Sequence, residues 1–226
     1  KNLHIQGVNT NGRGIHLSKV DYVTIDNMVI DNLWTGVGNM DGDYVEVTNS
    51  TIANNSKQGV LGSGDYMLVE NNHFEFNGDD PVDHNIYLSG GLANDGAVGI
   101  KVLNNTLTRS SQKNGKCIGV SLVAHGRSFV DLLIEGNHIY EPKDELLPSC
   151  YGIAVGSGMP GKEEQHRNVI IRGNTVENLG GLSIELGACQ DCFIENNVVS
   201  NDNLTIPGKI GIKVSGILAD NSGGTP

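Results

Sequence analysis

The amino-acid sequence predicts an all-β fold, a right-handed parallel β-helix solenoid of about eight coils, from three observations. A four-residue signature recurs eight times, a shorter strand pattern follows each copy, and no stretch has helical periodicity. The signature reads Ile5-Gln6-Gly7-Val8, Ile25-Asp26-Asn27-Met28, Val47-Thr48-Asn49-Ser50 and Val69-Glu70-Asn71-Asn72 in the first half. It continues as Val102-Leu103-Asn104-Asn105, Ile134-Glu135-Gly136-Asn137, Ile171-Arg172-Gly173-Asn174 and Ile194-Glu195-Asn196-Asn197. The third position is always Asn or Gly, the residues that most readily accept positive φ, so a left-handed corner is expected after each strand. Asn stacked on successive turns can also form a hydrogen-bonded side-chain ladder.

The second pattern supplies the next strand of each coil: Gly14-Ile15-His16-Leu17, Gly36-Val37-Gly38, Gly59-Val60-Leu61 and Asn85-Ile86-Tyr87-Leu88 in the early copies. The later ones are Gly119-Val120-Ser121-Leu122, Gly152-Ile153-Ala154-Val155, Gly181-Leu182-Ser183-Ile184 and Gly211-Ile212-Lys213-Val214. Apolar residues alternate there with small or polar ones, the period of a half-buried strand. Three early copies share a leader, Asp21-Tyr22, Asp43-Tyr44 and Asp65-Tyr66. First positions of the signature are separated by 20, 22, 22, 33, 32, 37 and 23 residues. A unit near 22 residues with two or three short strands is one coil, stacked on the next at about 4.8 Å. Residues 1–216 are read as this domain and 217–226 as a C-terminal tail or the start of a linker.

Composition narrows the partners. The 226 residues carry a formal charge of −11, which disfavours nucleic acid or an anionic membrane as a partner, because phosphate contacts need a basic face. No run approaches the ~18 apolar residues of a membrane span. There are 31 Gly and 26 Asn but only six Pro, a balance that suits many tight turns rather than a linker. Lys1-Asn2-Leu3-His4-Ile5 already reads as a strand, so no leader peptide is expected within it. Open sheet edges at both ends of a solenoid need covering. The chain is therefore expected to be a fragment of something longer, or to be capped by another domain or by copies of itself, as in a homotrimer.

The departures from the period locate a site. Coils four to six carry extra residues on both sides of the second strand pattern. One wall is expected from 77–84, 109–116 and 141–149, the other from 90–99, 124–127 and 156–167. Between them lie Asn85, Tyr87 and Ser89, then Gly119, Ser121 and Val123, then Gly152, Ala154 and Gly156. Small residues with polar loops on both sides describe a groove, and an extended groove on a solenoid suits a polysaccharide.

Asp79, Asp80 and Asp83 form the densest acidic cluster, followed by His84. Close carboxylates raise one another's pKa, so one can act as general acid while another stays ionised, as glycosidases require. The same oxygens suit Ca2+, and Gly-Asp-Asp-Pro is also ordinary turn chemistry. No other cofactor is expected. His84, His125 and Tyr87 form a second candidate set, with Asn85, Arg127, Lys116 and Glu185 as substrate-binding residues. A Tyr and His set beside an acidic sugar can remove the C5 proton and protonate the leaving oxygen. Asp144, Glu145, Glu163, Glu164 and Glu185 lie near the walls or floor and are read as solvated carboxylates.

The Asn-corner coils resemble the pectin-lyase-like superfamily of right-handed parallel β-helices, over residues 2 to 216. That group includes polysaccharide lyases, polygalacturonases, mannuronan epimerases and phage tailspike depolymerases. Polygalacturonases carry Asn-Thr-Asp, Asp-Asp, His-Gly and Arg-Ile-Lys in chain order. This sequence offers Asp79-Asp80, His125-Gly126 and Gly211-Ile212-Lys213 and lacks the first element. Epimerases carry Asp-Pro-His-Asp, where this chain has Asp80-Pro81-Val82-Asp83-His84. The resemblance implies a carbohydrate-active protein, extracellular or on a virion surface, cleaving or modifying a polysaccharide. Hydrolysis is placed slightly ahead of lyase or epimerase chemistry. The rival is a non-catalytic glycan-binding or structural module of a phage tail or cell-surface fibre.

Of the four Cys, Cys117 and Cys150 each precede a Gly-Val or Gly-Ile strand start by two positions and stack on adjacent coils, within reach of a disulfide. Cys189 and Cys192 bracket a short loop. An even count fits secretion.

Overall fold

The computed structural model describes residues 3–8, 12–89, 96–113, 116–142, 149–156, 164–201 and 211–215. The expected tail at 217–226 lies outside them. The described chain is a stack of short parallel strands in three long sheets, with no helix among the described residues.

The first sheet has seven strands, beginning with Thr24–Asp26, Glu46–Thr48 and Leu68–Glu70. Its inward row is Ile25, Val47, Val69, Val102, Ile134, Ile171 and Ile194, paired in register. Each strand then turns a corner at the signature's third position. Asn27, Asn49, Asn71, Asn104 and Asn196 have φ between 50° and 56°, with Gly136 and Gly173 at 67° and 62°. The expected left-handed corner is present because Asn and Gly tolerate that region.

The second sheet follows the corner with eight strands, among them Leu3–Gln6, Met28–Asp31, His73–Glu75 and His138–Tyr140. Ile5 pairs with Ile30, not with the Ile25 row. The first copy of the signature therefore belongs one strand further along the coil than its sequence suggests.

The ladder runs through the signature's fourth position. Each of Asn72, Asn105 and Asn137 donates its side-chain amide to the Oδ1 of the next Asn at 3.0 Å, reaching Asn174, which donates to Asn197 at 2.9 Å. The backbone N–H of each of these residues bonds the same Oδ1. These side chains supply the partners that buried corner backbone would otherwise lack. A second ladder joins Asn55, Asn77 and Asn85.

The third sheet also has eight strands: Arg13–Ser18, Thr35–Met40, Val60–Gly62, Ile86–Ser89, Val120–His125, Tyr151–Val155, Ile184–Gly187 and Ile212–Ser215. Its inward residues, such as Val60, Ile86, Leu122, Ile153 and Ile184, are fully buried and complete the core. Its outward row reads His16, Gly38, Leu61, Tyr87, Val123, Ala154, Glu185 and Lys213. A short fourth sheet, Ala97–Val98, Phe129–Val130, His166–Arg167 and Cys189–Gln190, occupies the lengthened return segments.

The Asp-Tyr leaders form a further external stack. Tyr22, Tyr44 and Tyr66 lie ring on ring at 4.8 Å, and each Asp carboxylate accepts the N–H one coil on. Gly99 ends the stack, since a Cβ there would fall 2.6 Å from the Tyr66 ring.

Cys117 and Cys150 are joined by a disulfide across neighbouring coils, with Cα atoms 5.3 Å apart, and Cys189 is joined to Cys192.

Candidate functional site

The turns that flank the third sheet are longer in coils four to six, and a cleft of about 770 Å³ opens over its outward face. Pro81 and Val82 form one lip. The floor carries Tyr87, Val123, Ala154, Glu185 and Lys213, with His84, His125 and Tyr151 beside it. Period-2 alternation puts Tyr87 outward between the buried Ile86 and Leu88. His125 stands in register with Ser89, two positions along from the Tyr87–Val123 pair and so on the same outward parity.

Tyr87 is the centre of an aromatic cluster. Its ring lies 5.0 Å from that of His125 and 5.5 Å from that of His84, the latter edge-on. The His84 Nδ1–H donates to the Val120 carbonyl at 2.8 Å, which leaves Nε2 as the bare nitrogen of a neutral ring. Burial holds the His84 pKa down to about 4. Burial also raises the Tyr87 pKa, and the negative charge of Glu164 adds to the shift, so Tyr87 is a phenol at neutral pH.

Glu164 was expected to be a solvated wall residue. Instead its side chain is 1% exposed, one oxygen accepts the Gly126 N–H, and the other faces His166 Nε2 at 3.6 Å. His166 Nδ1 accepts the Phe129 N–H at 3.1 Å, so the proton sits on Nε2, toward Glu164. No sequence pattern marked His166. Tyr151 was also missed. Its ring occupies space that Gly181, one coil later, leaves open, since a Cβ there would fall 1.8 Å from it.

The acidic cluster sits elsewhere. Asp79, Asp80 and Asp83 do not line the cleft. The Asp83 side chain is 3% exposed and turned toward Lys57 of the preceding coil, whose ammonium lies 3.0 Å from it and 3.7 Å from Asp79. Burial raises the Asp83 pKa while the Lys57 hydrogen bond opposes it. Of that loop, Pro81, Val82 and His84 reach the cleft. Asn85 is also corrected: parity points it outward, but it is fully buried at the corner, donating to the Thr108 carbonyl at 3.0 Å. Its tie to the Asn77 ladder removes it from any substrate. Lys116 is exposed on a hairpin strand with Lys113, and neither it nor Arg127 lines the cleft. Glu185 does line it, ion-paired with Lys213. Asp144, Glu145 and Glu163 lie outside the described residues.

Among the described residues Asp79, Asp80 and Asp83 do not bring three ligand atoms within 4.8 Å of one another. Among the described residues, the one group of three donors within 4.8 Å of one another is Cys117, Glu141 and Cys150, whose sulfurs are bonded to each other. Among the same residues, no helix is long and apolar enough to cross a membrane.

The family of the right handed beta helix region matches residues 1–163. The chain belongs to that family. By sequence, no curated protein matches this β-helix chain. Among solved structures it is similar to PfbA, a surface adhesin of Streptococcus pneumoniae, at 14% identity and TM-score 0.61, covering 90% of this chain and 49% of that one. It is similar also to an alginate lyase from Paenibacillus, at 12% identity and TM-score 0.57, covering 95% of this chain and 78% of that one. The β-helix chain thus spans about half the length of the adhesin. At these identities the likeness establishes the shared fold alone, because one scaffold hosts several chemistries.

Proposed function

We propose that this β-helix protein is an extracellular polysaccharide lyase that cleaves a uronate-containing chain in the cleft by β-elimination. The supporting observation is the composition of the cleft lining. It presents Tyr87, His125 and His84 together, while its one described carboxylate, Glu185, is engaged by Lys213. A glycosidase needs two facing carboxyl groups. Elimination needs a base for the uronate C5 proton and an acid for the departing O4.

In this reading the His125 ring takes the C5 proton and the Tyr87 phenol gives its proton to O4. The C5–H and C4–O4 bonds break and a C4=C5 double bond forms. His125 then returns its proton to Tyr87, so the cycle closes without a cofactor. The two disulfides suit an oxidising, extracellular setting.

The test is incubation with alginate, pectate and hyaluronan, reading reducing ends and the absorbance of unsaturated uronate in parallel. A lyase raises both together. Reducing ends without the absorbance would replace elimination by hydrolysis. Retention of a glycan with neither signal would replace catalysis by binding.

A further inference from the structure

The third sheet continues past the cleft toward the first coils, where the turns are short and the outward face is bordered by Arg13, His16 and Trp34. The Arg13 guanidinium lies over the Trp34 ring at 5.2 Å from its centroid, and Nη1 reaches His16 Nδ1 at 3.0 Å. All three side chains are exposed. The ring nitrogen that accepts from Arg13 carries no proton, so the guanidinium charge is oriented but not cancelled. Among the described residues Arg13 forms no ion pair, as is also true of Lys19, Lys101, Lys116 and Arg167, and of these it alone lies over an aromatic ring.

We propose that Arg13, His16 and Trp34 form a remote subsite that binds an acidic sugar residue of the same polysaccharide whose reacting linkage lies over Tyr87. The proposal rests on the cleft's being a uronate site and adds where the chain is held away from it. His16 stands in the same outward row as Tyr87, separated by Gly38 and Leu61. Three strand steps make about 14 Å, the length of a short oligosaccharide running along the solenoid axis. Gly38 and Leu61 present no charged or tall side chain between the two places. Arg13 supplies a planar, charged donor for a carboxylate, and the indole supplies a face or edge for a sugar ring.

Trp34 is the single tryptophan of the chain, so its emission reports on this place alone. Tyr87→Phe, which keeps the cleft shape while blocking turnover, is titrated with long and disaccharide fragments of mannuronate, guluronate and galacturonate polymers and with maltooligosaccharides. A long uronate fragment is expected to change the emission saturably, while its disaccharide and the neutral fragments do not. Arg13→Ala should weaken the long fragment's affinity about three- to tenfold and leave far-ultraviolet circular dichroism unchanged. Trp34→Phe, followed by calorimetry, should weaken it less. The proposal is overturned if a long uronate fragment binds with no change in emission, if Arg13→Ala binds it as tightly, or if none of the three uronates binds. The elimination reading fails separately, when the wild type forms no unsaturated product although the emission titration saturates.

Discussion

Asn137→Ala should be among the most damaging single substitutions in this chain, although it removes only an amide. Asn137 is fully buried. Its Oδ1 accepts the Asn105 N–H and the Asn105 side-chain amide, both at 3.0 Å, and its own amide donates to the Val102 carbonyl at 2.9 Å and to Asn174 Oδ1 at 3.0 Å. Asn174 Oδ1 keeps the Asn137 backbone N–H, so three buried groups lose their partners. At about 1–3 kcal/mol for each orphaned group, the loss is about 4 kcal/mol. For a chain of this size each kcal/mol lowers Tm by roughly 2–4 °C, so a fall of about 8–16 °C is expected. Thermal unfolding followed by circular dichroism measures it. Asn196→Gly, which changes an exposed corner of the same left-handed geometry, should stay within about 2 °C of wild type. A drop for Asn137→Ala of less than about 3 °C, or one matched by Asn196→Gly, would refute the claim that the side-chain ladder holds the coils together.

Acid stability follows from His84. Its folded pKa of about 4 lies below its ordinary 6.5, so between those values the unfolded chain binds a proton that the folded one refuses. Stability is then full above about pH 6.5 and falls by about 3 kcal/mol by pH 4, and urea midpoints for His84→Gln should show a correspondingly weaker pH dependence. Replacing Lys57 by Met leaves the buried Asp83 carboxylate without its ammonium, and a loss of about 2 kcal/mol is expected in urea unfolding, largely relieved in the Lys57→Met, Asp83→Asn double variant. Cys117→Ala with Cys150→Ala opens a link across 33 residues and should cost about 3–4 kcal/mol, against about 2 for the Cys189, Cys192 pair across three. Guanidinium unfolding ranks the two.

The corners and the ladder were legible because one residue per coil must satisfy one geometric need. Asn71, Asn104 and Asn196 show the left-handed requirement, and Asn72, Asn105 and Asn137 the need for a partner on the next coil. The lip at Pro81 and Val82 was legible in the extra residues that precede the Tyr87 strand. What failed has equally local causes. Ile5-Gln6-Gly7 fits the signature, yet Gly7 stands against Asn32, where a Cβ would fall 2.0 Å from the carbonyl oxygen, so this is the second corner of a coil. Parity misplaced Asn85 because alternation breaks at a corner, where the side chain serves the turn. The ion pair of the aspartate loop was not legible because nothing in its own segment announces Lys57, which lies 26 residues before Asp83 and one coil below. His166 became a partner of Glu164 only through the short fourth sheet, whose two-residue strands leave almost no pattern.

The central claim is that chemistry resides at Tyr87 and His125 on the cleft floor and not in the aspartate loop. Steady-state formation of unsaturated uronate by Tyr87→Phe and by the Asp79→Asn, Asp80→Asn double variant tests it directly. The account predicts that Tyr87→Phe lowers kcat by about 100-fold or more with little change in KM, and that the aspartate variant stays within about twofold of wild type. Near-normal turnover by Tyr87→Phe, together with loss of activity in the aspartate variant, would contradict it.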